Sequence, residues 1–272
     1  VSVAIRVCSF ESRRATEIGS LIERMGGLPT VAPSMREIPL TANDHVLQFA
    51  ERLLKGEFED ILFMTGVGAR ALWEFLAPHY SQEVIFAELN KRRIIVRGPK
   101  PVVVLREWGV HIDYRAPEPN TWREILTMID QEQIFLQGRA MALQEYGKPN
   151  LRLVAGLEER GAKVLSVPVY RWDLPEDIGP LQNAIRQLIA GEFDLVLFTS
   201  AQQVYHVLQV AEELDLLEAI KAAMDKIVIA SIGPTCTEAL VESGFTVALE
   251  PSHPKMGHLV KEALAYLESA KS

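Results

Sequence analysis

Apolar positions along the chain follow two rhythms. Short runs such as Asp60–Met64 and Leu195–Phe198 are apolar almost throughout and have strand length. Longer stretches such as Glu11–Met25 and Asp44–Leu54 place apolar residues three and four apart, the spacing of a helix with one buried face. The two rhythms alternate from end to end. Strands are expected at Ser2–Val7, Leu28–Ala32, Asp60–Met64, Arg92–Arg97, Val110–Tyr114, Ile134–Leu136, Val164–Val167, Leu195–Phe198, Ile227–Ser231 and Phe245–Leu249. Helices are expected between them, at Ala69–Leu76, Val102–Trp108, Trp122–Asp130, Leu151–Arg160, Ile185–Ile189, Gln203–Leu214, Thr237–Ser243 and Gly257–Leu267. Two stretches fit neither rhythm: Pro33–Leu40 and Pro168–Pro175 are proline-bearing and read as extended connectors.

The pattern is written twice. Gly56–Gly66 (GEFEDILFMTG) returns as Gly191–Ala201 (GEFDLVLFTSA), 135 positions on, and the same offset relates Gly26 to Gly161, Pro33 to Pro168, Gly98 to Gly233 and Gly109 to Gly244. One register kept over so many turn residues marks an internal repeat. Strand–helix alternation implies parallel sheets covered on both faces, an α/β fold. Ligands of such sheets bind at the carboxyl ends of the strands. Those ends are expected at Ser9–Ser12, Thr65–Gly68, Arg97–Lys100, Gln137–Arg139, Thr199–Gln203 and Ile232–Thr235. With two lobes joined by connectors, the expected site is a cleft between them.

Composition narrows the function. A length of 272 residues suits about two domains. A formal net charge of −8 argues against nonspecific nucleic-acid binding. No apolar run is long enough to span a membrane, and Val1–Val7 lacks the basic flank of a secretory leader, so a cytoplasmic protein is expected. Two cysteines, Cys8 and Cys236, make no disulfide framework. The histidines are scattered, and no metal site is expected.

Gly66–Ala71 (GVGARA) matches a dinucleotide-binding fingerprint. Its strand is not the first of its unit and its repeat at Ala201–His206 has no glycine, so a tight strand-to-helix turn is the stronger reading. Gly98-Pro99-Lys100 and Gly233-Pro234-Thr235 also open helices, whose free amides suit a carboxylate. Arg13, past the first strand, could clamp one. No carboxylate dyad, triad or metal cage competes with Tyr170, in the second connector, as a proton donor.

Phe198-Thr199-Ser200-Ala201 before a helix, Ile232-Gly233-Pro234-Thr235 with Thr237-Glu238-Ala239-Leu240 and Gly244, Val169-Tyr170-Arg171 after Gly161-Ala162-Lys163-Val164, and Pro254–Leu259 together resemble the uroporphyrinogen-III synthase family. The resemblance covers nearly the whole chain. It implies two lobes that exchange segments: residues 1–35 with 173–272, and residues 39–168, with connectors 36–38 and 169–172. It implies cyclisation of hydroxymethylbilane to uroporphyrinogen III by a cytoplasmic monomer, with no cofactor, no membrane and no nucleic acid. Tyr170 matches the tyrosine proposed to assist hydroxyl departure. Thr65, Gly66, Gly98, Lys100, Gln137, Gly138, Thr199, Ser200, Ala201, Ile232, Gly233 and Thr235, with Arg13, are the expected substrate-binding set. Two departures stand out: Ser12-Arg13-Arg14 replaces a Thr-Arg-Pro run common in the family, and Lys100-Pro101 replaces hydroxyl residues. Two alternatives are a non-catalytic two-lobed anion-binding or regulatory module, and a nicotinamide-dependent enzyme using GVGARA.

Overall fold

The structure is a computed structural model that describes residues 4–39, 44–145 and 149–270. The chain divides into two compact units: unit 1 is Val1–Arg36 with Asp173–Ser272, and unit 2 is Glu37–Trp172. Unit 1 opens with β1 (Arg6–Ser9), α1 (Ala15–Arg24) and β2 (Leu28–Val31). The crossing strand β3 (Arg36–Pro39) leads to α2 (Asp44–Leu54), β4 (Asp60–Phe63), α3 (Gly66–Leu76), α4 (Gln82–Leu89), β5 (Arg93–Val96), α5 (Pro99–Glu107), β6 (Tyr114–Arg115), α6 (Trp122–Gln131), β7 (Ala140–Gln144), α7 (Leu151–Glu159) and β8 (Lys163–Val167). The chain returns through β9 (Tyr170–Asp173). Unit 1 is completed by α8 (Gly179–Ile189), β10 (Leu195–Phe198), α9 (Ala201–Glu213), α10 (Leu217–Met224), β11 (Val228–Ser231), α11 (Pro234–Glu242) and α12 (Met256–Ala270).

Each unit is built on a parallel sheet. Unit 1 has the order β11-β10-β1-β2, unit 2 the order β6-β5-β4-β7-β8, and β3 and β9 pair as a two-stranded sheet. The repeat explains the matching orders. Shifted by 135 positions, β4 falls on β10, β5 on β11, β1 on Met141–Gln144 within β7, and β2 on Lys163–Ser166 within β8. Unit 1 therefore takes β1 and β2 from the first copy and β10 and β11 from the second. Unit 2 takes the complement. The repeated turn keeps its backbone as well: Gly56 and Gly191 both have φ of 74°, a left-handed conformation that ends α2 and α8 without a Cβ clash.

The unbroken apolar runs follow from burial on both faces. In β4, Ile61 and Phe63 pack on one side with Phe49, Leu72 and Leu105, while Leu62 points to the other with Ile125, Leu143 and Leu157. β10 repeats this with Val196 and Phe198 on one side and Leu195 and Leu197 on the other. Burying one such side chain contributes about 1.5–3 kcal/mol.

Several expected elements differ. Ile134–Leu136 is not a strand: both end residues are buried in a loop, and the strand lies at β7. Val110–Tyr114 contributes only Tyr114 to β6, and Phe245–Leu249 makes a single bridge between Leu249 and Ala230. Each segment buries some of its apolar residues, as Ile134, Val110 and Phe245 show, without forming a full strand. α4 and α10 were not expected. In α4 Val84, at 48% exposure, stands beside buried Ile85 and Phe86, so its apolar residues do not keep to one face; α10 is only eight residues long, with Ile220 and Met224 buried. The start of the expected strand at Ser2 and the end of the connector at Leu40 lie outside the described residues.

Asp60 fixes three strands at the amino edge of unit 2. It is fully buried and accepts from Arg93 Nε on β5 at 2.6 Å and from Arg139 Nε, just before β7, at 2.8 Å. Removing the buried partner leaves two cations unpaired. We expect Asp60→Asn to lower unfolding free energy by about 3 kcal/mol in urea titration; a loss below about 0.5 kcal/mol would show that the three-strand clamp carries no stability.

Candidate functional site

At the carboxyl edge of unit 2, the chain leaves β4 through Thr65 and enters α3. The Thr65 side chain accepts the Gly68 N–H at 2.9 Å, a helix N-cap. The Thr65 N–H donates to Gln144 Oε1 at 3.2 Å, tying α3 to the end of β7. Gly66 and Gly68 are required by close approach. A Cβ on Gly68 would lie 2.0 Å from Gln144 Nε2, and one on Gly66 would lie 2.7 Å from the Lys100 carbonyl oxygen. The glycines of GVGARA thus serve helix packing, which is the tight-turn reading of that motif. Gly98 is buried as the N-cap of α5, Pro99 occupies the first turn, and Lys100 is exposed beside it.

The carboxyl edge of unit 1 repeats the design. Ser200, the counterpart of Thr65, caps α9 by accepting the Gln202 N–H at 3.2 Å. Thr199 and Ala201 on either side are half-buried. Gly233, the counterpart of Gly98, caps α11, with half-buried Ile232 before it and exposed Thr235 in the first turn. The loop is held from below, since Gly233 N donates to Ser231 Oγ at 3.2 Å and Thr237 Oγ1 donates to the same oxygen at 2.7 Å. Arg13 is exposed between β1 and α1. Beside it Ser12 Oγ accepts the N–H groups of Ser34 and Met35 at 3.1 and 3.0 Å.

Two expected residues are elsewhere. Gln137 and Gly138 precede β7 and so lie at its amino end; the carboxyl end is Gln144, with Glu145 following. The misplacement follows from reading Ile134–Leu136 as the strand. Tyr170 opens β9, and its side chain lies outside the described residues. The sequence reading overlooked Gln144 and Glu145, whose only signal was the apolar run of Ala140–Leu143 before them. Gln203, which closes the expected strand end Thr199–Gln203, was not in the expected substrate-binding set; its amide reaches back to the Thr199 N–H.

Buried polar groups concentrate near these edges. Glu145 is 2% exposed, and its carboxyl accepts from the Ser166 hydroxyl and the Asn150 N–H, with Oε1 left without a partner. Burial, the largest influence, raises its pKa above the ordinary 4.5 against those two hydrogen bonds. His206 on α9 is 4% exposed, and its Nδ1 lies 2.6 Å from the Ser34 carbonyl. A carbonyl only accepts, so Nδ1 carries the hydrogen. Burial lowers the His206 pKa below 6.5, opposed by that hydrogen bond and by Asp173. Both cysteines are buried; desolvation pushes the Cys236 thiol up to about 12 and Cys8 higher, the reverse of what a nucleophilic thiol needs. Among the described residues, no three His, Cys, Asp or Glu side chains group as metal ligands, and no helix is long and apolar enough to cross a membrane.

The fold is a parallel α/β one with capped or glycine-opened helix N-termini along the carboxyl edge of each unit, an arrangement whose amides and hydroxyls suit anionic groups. Comparison with known proteins makes the class specific. A family model described as Uroporphyrinogen-III synthase HemD matches residues 16–261, and the chain belongs to that family. A crystal structure of a mutant uroporphyrinogen III synthase from the extreme thermophile Thermus thermophilus is 25% identical, with a TM-score of 0.76 over 98% of this chain and 100% of the other. The uroporphyrinogen-III synthetase of Helicobacter pylori shares the fold at 14% identity, with a TM-score of 0.51 over 98% of this chain and 100% of that one. An uncharacterized Bacillus subtilis protein, YjjA, is 26% identical over 264 residues, 97% of this chain and 96% of its own length. The family is one of lyases in tetrapyrrole synthesis.

The two shifted groups set opposite pH dependences. The depressed His206 contributes stability that is full above 6.5 and is lost as pH falls through its folded value. His206→Asn keeps a donor for Ser34, and a denaturation series should show that it flattens the decline on the acid side; an unchanged slope would mean His206 stays neutral in both states. The raised Glu145 contributes stability present below 4.5 and lost as pH rises through its folded value. Glu145→Gln should therefore melt no lower than the parent at pH 7, and a lower melting temperature there would contradict this.

Proposed function

We propose that this chain closes hydroxymethylbilane into uroporphyrinogen III, inverting ring D and releasing water. The observation that carries the reading is the family match over residues 16–261. The site chemistry supports it. The substrate is a flexible polycarboxylate, and the helix N-termini of α3, α5, α9 and α11, capped or glycine-opened, suit it despite a net charge of −8. In this reading the hydroxyls of Thr65 and Ser200 and the amides of Gly66, Gly98, Ala201 and Thr235 take the substrate's carboxylates, while Ile232 and Gly233, whose N–H groups are given to the Phe198 carbonyl and Ser231 Oγ, shape the loop. Arg13 and Lys100 supply the local cations. Gln137 and Gly138, at an amino end, have no part in it.

The chemistry asks little of acids and bases. Loss of the hydroxyl leaves an azafulvene, which attacks the already substituted carbon of ring D. The resulting spiro-pyrrolenine fragments and recloses with the ring turned over. Free bilane closes to the unrotated isomer, so the protein's contribution is to hold the conformer that leads to inversion. Tyr170 hydrogen-bonds the departing hydroxyl. The reaction needs no cofactor, and the protein works as a cytoplasmic monomer.

Freshly prepared hydroxymethylbilane incubated with the purified chain should yield chiefly the type III isomer after oxidation and separation. A product that is wholly type I ends the proposal; bilane binding without isomer control would assign the chain to the non-catalytic module instead. Tyr170→Phe should slow turnover about a hundredfold with product affinity nearly unchanged. Undiminished turnover would return the tyrosine to packing.

A further inference from the structure

A carboxylate stands on the unit 1 face where a polyacid would be least welcome. Glu11, two residues past β1, is half-buried. Its Oε1 accepts the Arg14 N–H at 3.1 Å. Its Oε2 accepts the Thr199 hydroxyl in a short contact and Gln203 Nε2 at 3.4 Å. Gln203, 1% exposed, is pinned at both ends: its Oε1 accepts the Thr199 N–H at 2.9 Å and its Nε2 donates to Thr199 Oγ1 at 2.7 Å.

Counting protons fixes the polarity of this patch. A carboxylate only accepts, so the single hydroxyl hydrogen of Thr199 is committed to Glu11. The Thr199 N–H, which could have met an anion, is committed to Gln203. One lone pair of Thr199 Oγ1 is taken by Gln203 Nε2, and the other remains beside the carboxylate. Among themselves Glu11, Thr199 and Gln203 therefore offer acceptors and negative charge and no donor. Their neighbours on the same edge, the amides opening α9 and α11, offer donors. A ligand fits both only if it carries anionic groups at its rim and neutral N–H donors inside it.

We propose that Glu11, with Thr199 fixed by it, receives the pyrrole N–H groups of the tetrapyrrole and repels its acetate and propionate arms, so that it sets which way the rings face on unit 1. The inference rests on the proposed function and names the part of the substrate that meets this patch. Such a residue discriminates by attraction and repulsion together.

Uroporphyrinogen III and its oxidation product uroporphyrin III separate the two contributions. They carry the same carboxylates, but oxidation converts half of the N–H donors into acceptors. Binding of each to the full chain is measured under anaerobic conditions, for wild type and Glu11→Gln. Loss of a hydrogen bond to a charged acceptor should weaken the porphyrinogen about tenfold or more. The porphyrin, met by an amide that can donate, should stay within about twofold. Thr199→Val, which removes one acceptor and keeps the carboxylate, should lose part of the porphyrinogen affinity and serves if Glu11→Gln folds poorly. Equal weakening of both ligands, or of neither, overturns the proposal. If wild type makes the type III isomer while the variants bind both ligands as wild type does, this inference fails and the synthase reading stands. If wild type binds neither ligand, both fall.

Discussion

The commitment of hydrogen-bond donors at the carboxyl edges governs the rest of this structure. Parallel strands end in unpaired amides, and the helices that follow add up to four more each. The protein uses some internally and leaves others facing outward. Thr65 and Thr199 both lose their N–H to a buried glutamine, Gln144 from the neighbouring strand in one unit and Gln203 from the following helix in the other. The two amides are one position apart in the repeat, since the counterpart of Thr65 is Ser200, so each unit satisfies a different strand-end N–H with a glutamine of its own. What stays open is the first turn of each helix, and that is where a carboxylate gains most from the helix dipole.

The exchange of segments gives each unit that edge. A unit made from one copy alone would have its sheet drawn from consecutive strands. Here β1 lies between β2 and β10, and β7 lies between β8 and β4, so the central strands of each sheet come from different copies. The chain must cross twice, and it does so at equivalent points of the repeat, through β3 and β9. The amino edges are tied by charge, as at Asp60 with Arg93 and Arg139, while the carboxyl edges hold hydroxyls, amides and glycines. The charge pairs and the hydroxyl-capped helix starts thus lie at opposite ends of the same strands.

Much of this was legible in the sequence because the repeat carries its own punctuation. The buried runs at β4 and β10, the glycine stops at Gly56 and Gly191, and the hydroxyl caps at Thr65 and Ser200 are local signals. Local physics reads them correctly. The failures were also physical. Ile134–Leu136 is apolar enough for a strand but is a loop that buries Ile134 and Leu136 and exposes Phe135, and that slip moved Gln137 and Gly138 to the wrong end of a strand. α4 mixes exposed Val84 with its polar side, and α10 is too short, at eight residues, for its spacing to stand out. Glu11 read as an ordinary helix start, because its partners Thr199 and Gln203 are far away in sequence and only the pairing of β1 with β10 brings them near. Polarity built from distant donors leaves no local trace.

The central claim, that this chain turns ring D over before the macrocycle closes, is tested most directly by the fate of one bond. Bilane can be prepared with carbon-13 at the substituted α-carbon of ring D and at the methylene attached to it. Inversion breaks that bond, so the one-bond coupling between the labels should vanish from the product's carbon spectrum. A product in which the coupling survives would contradict the account.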